Sequence, residues 1–216
     1  MSDLPPAEHD MTSIVLLGSF NPRIFQPAWF VAQGLLAPEE GTASTIQLIN
    51  NDFCAFETDW CRVEVLGERC TFYSLAAPIV EALRDLALGT FRILRHTPIV
   101  KVGLNTHAHF AMPDRDVWNR FGHLLAPKDD LWSPILQKPG TLSLTIQGVR
   151  PDDYEGHINV KVEPSSRIEP GIFVETNEEF RLPNADSAEW VIEMIEAEWV
   201  KYRQRAEEIQ GCCVVD

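Results

Sequence analysis

Apolar and polar positions along the chain alternate with a period of two in a series of short runs, while other stretches repeat at the helical period. The clearest alternation, Trp60-Cys61-Arg62-Val63-Glu64-Val65, suits a strand with one wet face and one dry face. Runs of this kind predict strands over 13–20, 45–49, 52–57, 60–66, 69–75, 99–110, 141–149, 157–163 and 171–182. Asn21-Pro22 and Gly67-Glu68 punctuate them as turns. Pro27 suits the first turn of a short helix over 27–36, followed by a Pro/Gly/Ser-containing loop over 37–44. Pro78 opens a helix of about fifteen residues in which Ile79, Leu83 and Leu86 share a stripe. Two shorter helices are expected over 116–125 and 130–136. In the last element Asp186 and Glu189 have the spacing of a capping box. Trp190, Val191, Met194, Ile195, Trp199, Tyr202 and Ile209 gather on one side of a helix of roughly twenty residues, with Glu189, Glu193, Glu196 and Glu207 opposite.

This order, strands grouped before a helix and then grouped again, predicts an α+β fold: largely antiparallel sheet with helices packed on one face. The repetition suggests a duplicated strand-strand-strand-helix unit, with halves at about 13–110 and 111–210. No linker is long enough to separate independent domains. The expected organisation is a flexible N-terminus over 1–12, one domain over 13–210 and a tail over 211–216 with exposed thiols.

Composition narrows the class without naming an activity. The 216 residues are 45% hydrophobic and 23% charged, enough apolar material for a sizeable core and too much for disorder. The net charge is −14 and unevenly placed: 12 basic against 16 acidic residues through Pro151, then 6 against 16 from Asp152 onward. Phosphate recognition needs clustered Lys and Arg, so direct nucleic-acid binding is not expected, and anionic membrane surfaces are disfavoured for the same reason. The acidic C-terminal third suits a basic protein partner or plain solubility. Five cysteines without CxxC spacing, and an N-terminal stretch lacking the basic residues of a signal peptide, point to reduced thiols in the cytoplasm.

The sharpest chemical cluster is Thr106-His107-Ala108-His109, since strand positions i and i+2 share a face and can share a metal. The segment resembles the THxHxDH signature of metallo-β-lactamase-fold hydrolases, but Ala111 and Met112 stand where that motif has Asp and His. Its HxH is also similar to the one that begins amidohydrolase barrels, although too little chain follows for a barrel. A metal-dependent hydrolase, with His107 and His109 as ligands and Asp114 or Asp116 as further ligand or base, is therefore the alternative functional reading. No GxSxG, P-loop, GxGxxG or kinase signature is present. The paired acids Asp114/Asp116, Asp129/Asp130, Asp152/Asp153 and Glu178/Glu179 lie mostly beside turn residues, where carboxylates cap helices and close turns.

Leu86–Asn105 (LALGTFRILRHTPIVKVGLN) and His157–Phe180 (HINVKVEPSSRIEPGIFVETNEEF) resemble a sporadically distributed family of uncharacterised bacterial α+β proteins. The resemblance implies a bacterial cytoplasm and assigns no catalytic residue. More loosely, such proteins resemble accessory components of bacterial antiviral defence operons, CRISPR-associated ones included. The leading expectation is a non-enzymatic protein-protein interaction or regulatory accessory protein, needing no cofactor. Its expected docking surface is Glu189, Glu193, Glu196 and Trp199 on the last helix.

Overall fold

A computed structural model describes residues 7, 9–75, 80–183 and 187–214. Among the described residues nine strands form one sheet: β1 (His9–Gly18), β2 (Thr45–Ile49), β3 (Phe53–Glu57), β4 (Cys61–Leu66), β5 (Arg69–Ser74), β6 (Ile99–Ala111), β7 (Leu144–Val149), β8 (Gly156–Pro164) and β9 (Gly171–Arg181). The order across the sheet is β2-β3-β4-β5-β1-β6-β9-β8-β7. Every neighbouring pair is antiparallel. The same residues form five helices: α1 (Pro27–Ala32), α2 (Pro38–Ala43), α3 (Val80–Ile93), α4 (Arg115–Leu125) and α5 (Glu189–Val214). The fold is α+β, as the grouping of strands predicts.

Two similar wiring patterns meet at the centre. In each half a long strand leaves the middle, helical chain follows, and a meander returns so that its last strand pairs with the first. Each half then ends in a helix, α3 or α5. The halves join where β1 and β6 pair from His9↔His109 to Gly18↔Ile99.

The strand alternation translates directly into layers. Ile14 and Leu16 of β1, Cys70 and Phe72 of β5, and Val102 and Leu104 of β6 point to one side and are fully buried. They pack there with Leu83 and Phe91 of α3 and with Val191, Ile195 and Trp199 of α5. Phe25 and Phe30 extend this cluster around α1, with ring contacts to Phe91 and Phe56. A second apolar cluster holds Ala108, Phe110, Met112, Ile172 and Val174 against Val117, Trp118 and Phe121 of α4. Between the clusters runs a buried row of Thr12, Thr106 and Thr176, aligned across β1, β6 and β9. Tyr202 of α5 is hydrogen-bonded to Thr106 through its hydroxyl, which explains how a phenol enters this dry face without an orphaned polar atom.

Several elements differ from expectation for local reasons. No helix forms over 130–136: Pro134 interrupts that run, and only turn hydrogen bonds such as Ile135 N to Trp132 O are made. The stretch expected as loop contains α2, started by Pro38 and capped at that same end by Glu40, whose carboxylate accepts from the Ala37 backbone N–H. β1 starts at His9, inside the segment expected to be flexible, because β6 is long enough to pair with it. It ends at Gly18, where a Cβ would lie 2.1 Å from the Pro98 carbonyl oxygen. Finally, α5 is 26 residues long and carries Cys213 into the second apolar cluster, where burial pushes its thiol up to about 11. Pro78, Ile79 and the expected cap Asp186 lie outside the described residues. Among the described residues, no helix is long and apolar enough to cross a membrane.

Candidate functional site: the open face of the sheet

The helices that build the core lie on one side of the central strands, so that among the described residues no helix covers the opposite faces of β1, β5, β6 and β9. At its middle is a groove of about 340 Å³ lined by, among others, Ser13, Tyr73, Asn105, His107, Glu175 and Asn177. The registers place Gln147, Asn159, Asn177, Asn105 and Ser13 opposite one another in a single row across β7, β8, β9, β6 and β1.

These side chains form one continuous hydrogen-bonded chain that runs in one direction. Gln147 Nε2 donates to Asn159 Oδ1 (2.9 Å), and Asn159 Nδ2 donates to Asn177 Oδ1 (3.1 Å). Asn177 Nδ2 donates to Asn105 Oδ1, and Asn105 Nδ2 donates to Ser13 Oγ (3.0 Å). Ser13 and Asn105, both buried, belong to the groove lining. A primary amide has two N–H donors and two acceptor lone pairs. The links to neighbouring amides use one donor and one acceptor of each interior member, so every amide keeps capacity for another partner.

Charged groups flank the row on both sides. Glu179 accepts from Lys101 Nζ (3.1 Å) and Arg181 Nε (3.2 Å). Burial works against ionisation of Glu179, but these two cations outweigh it and hold the carboxyl below its ordinary value. On the other side Glu175 Oε1 is 3.9 Å from His107 Nε2. Burial lowers the His107 pKa below 6.5, and the nearby Glu175 charge offsets only part of that shift.

His107 and His109 do share the open face, as their spacing predicts. Phe173 packs against both, with ring centroids 5.8 Å from His107 and 4.9 Å from His109. His109 Nδ1 is hydrogen-bonded to Ser165 Oγ at 2.8 Å. Asp114 is the N-cap of α4, accepting from Val117 N at 2.8 Å, and Asp116 lies exposed in its first turn. Among the described residues no three His, Cys, Asp or Glu side chains are grouped closely enough to hold a metal ion.

The expected docking residues on α5 separate. Glu189, Glu193 and Glu196 are exposed on the outer side, and Glu196 forms an ion pair with Arg92 of α3. Trp199 belongs to the core instead: it is 1% exposed and its indole N–H donates to Glu81 Oε1 at 3.0 Å. The helix uses this large ring to fill the space against α3, which removes it from any contact surface. Much of the C-terminal acid surplus is engaged within the fold. Glu178, fully buried, meets Arg150 at 3.1 Å and Arg205 at 3.0 Å, and Arg150 also holds Asp152. The Arg150 guanidinium lies 3.6 Å over the Phe180 ring.

The thiols on the dry side are poor nucleophiles. Cys54 and Cys61 are pushed up to about 11 by burial, and Cys70 is raised for the same reason. The amide row is the part of the site that sequence reading missed. Its one signal was a polar, uncharged residue in the wet phase of several strands, and that signal becomes meaningful only once register is known. No protein-family model matches the chain, and comparison with curated proteins finds no match.

Proposed function

We propose that the protein is a non-enzymatic accessory protein that binds a protein partner through the open face of its sheet. The groove over Ser13, Asn105 and Asn177 then receives an extended segment of that partner. The observation carrying this reading is the one-way amide row, which leaves spare donors and acceptors along the groove floor. Such a row matches a peptide, whose backbone and amide side chains present donors and acceptors in alternation. Glu175 supplies an acidic group at the groove wall for a basic side chain of the partner, beside His107 at 3.9 Å and opposite Lys161 of β8. A partner of this kind is consistent with the accessory role that the bacterial resemblance implies.

A second docking surface is the outer side of α5, where Glu189 and Glu193 are exposed and engaged in no salt bridge among the described residues. Copurification from the native host separates the two. The open-face variant Asn105→Ala/Asn177→Ala should lose the captured partner, while Glu189→Lys/Glu193→Lys/Glu196→Lys should retain it. The reverse pattern would move the docking surface to α5 and overturn the proposal. The metal-hydrolase reading has its own check: protein purified without added metal should give no metal loss on His107→Ala/His109→Ala. Near-stoichiometric metal that disappears in that variant would favour the hydrolase.

A further inference from the structure

The edge strand β7 differs from the rest of this acidic molecule. We propose that it is the contact surface for a second copy of the chain, paired antiparallel through β7 of each protomer. An edge strand presents unpaired backbone N–H and C=O groups, and proteins that remain single usually blunt such edges with charges, prolines or bulges. β7 has none of these: its sequence is Leu-Thr-Ile-Gln-Gly-Val and its register with β8 is unbroken from Leu144↔Val162 to Val149↔His157. The opposite edge, β2, is interrupted by a register shift between Ile46 and Leu48.

Charge selects the occupant. Each copy carries −14, so two copies repel over most of their surfaces. The stretch 131–149 contains a single charged residue, Lys138, and offers contact without like charges meeting. A basic partner is drawn to acidic surfaces and gains nothing at this strand. On the helix side Ile146 is 58% exposed, leaving apolar surface that a paired strand would cover.

The amide row fixes the register. It ends at Gln147, whose Nε2 already donates inward to Asn159. In a two-fold contact the residue on the axis faces its own copy. A primary amide carries both donor and acceptor, so two Gln147 side chains across that axis can pair reciprocally. The nine strands of each copy then continue into one sheet, with the two amide rows meeting at the dyad.

Sedimentation of the full chain from about 1 to about 100 μM tests the proposal. The expected result is a discrete species of twice 24.4 kDa that grows stronger with added salt, because salt screens the repulsion between acidic copies. Ile146→Lys and Gln147→Lys should each weaken association about tenfold or more, while far-UV circular dichroism remains that of the parent. In a Cys212→Ala background, Gln147→Cys should form a disulfide-linked dimer on mild oxidation, since facing residues in antiparallel strands have Cα atoms about 5 Å apart. A monomer throughout the concentration range at both low and high salt would overturn the proposal. So would a dimer indifferent to both lysine variants, or a mass rising without limit as β2 pairs with β7 in open chains.

Discussion

The two faces of the sheet are drawn from the same strands, and β6 shows how differently they are held. On the helix side Val102, Leu104, Ala108 and Phe110 are buried against apolar neighbours, with Thr106 as the polar exception. On the open side the same strand offers Lys101, Asn105, His107 and His109, each engaged by a polar or ring partner. Apolar burial is large and non-directional, so the helix face supplies stability and tolerates small shifts. Hydrogen bonds contribute less net free energy but demand register, so the open face supplies specificity. One residue of slippage would exchange the two sets outright.

The helix face should break first. Trp199→Ala removes a buried indole and leaves Glu81 without its indole donor. It should cost about 3–5 kcal/mol, read as a lower midpoint in urea denaturation. A loss below about 0.5 kcal/mol, the scale of an ordinary surface change, would mean that α5 does not depend on this ring. The amide row gives a smaller effect of a different kind. Asn177→Ala interrupts the row at its middle and should cost about 1–3 kcal/mol through unsatisfied neighbours. A double-mutant cycle with Asn159→Ala should show coupling, and strict additivity would mean that the row is a set of independent surface contacts.

What the sequence could reveal follows the same division. The period-two pattern located the strands and the dry phase of each, because burial of apolar side chains is a local signal repeated along every strand. Sequence alone does not separate Asp114 as a helix cap from a metal ligand or catalytic acid; its bond from Val117 N does. A helical wheel leaves Trp199 available to a contact surface, because it gives direction without saying which margin another helix covers; in the fold α3 covers it. The buried cluster of Arg150, Glu178 and Arg205 was likewise hidden, since its members are 28 or more positions apart from Arg150 and carry charges that normally read as solvent-exposed. The groove depends on pairing between β1, β6 and β9, and pairings over 70 residues or more leave no local trace.

Acid provides a gentler probe of the open face. The folded-state pKa of His107 is held below 6.5 by burial, with Glu175 opposing. The unfolded chain therefore binds more protons between the folded value and 6.5, and folding stability falls as pH is lowered through that window. The loss should be smaller than the cost of cutting the amide row, and His107→Gln should flatten the stability profile below pH 6.5. An unchanged slope in that variant would assign the acid sensitivity to other groups. Nuclear magnetic resonance titration of the His107 ring gives the direct reading, with a midpoint below 6.5 expected.

The smallest effect should come from the outer side of the helices. Arg92 and Glu196 form an ion pair between α3 and α5, with side chains 57% and 47% exposed. Exposed pairs of this kind are worth about 0–1 kcal/mol, because water screens the attraction and ordering two long side chains costs entropy. Arg92→Ala should therefore leave the denaturation midpoint almost unchanged at physiological salt. It does remove the positive charge beside Glu196, so that Glu189, Glu193 and Glu196 together present a more acidic outer surface. If the partner docks on the open face of the sheet, that added charge should not alter capture. A marked gain in capture of a basic partner by Arg92→Ala, lost again at high salt, would show instead that the outer side of α5 is where recognition occurs.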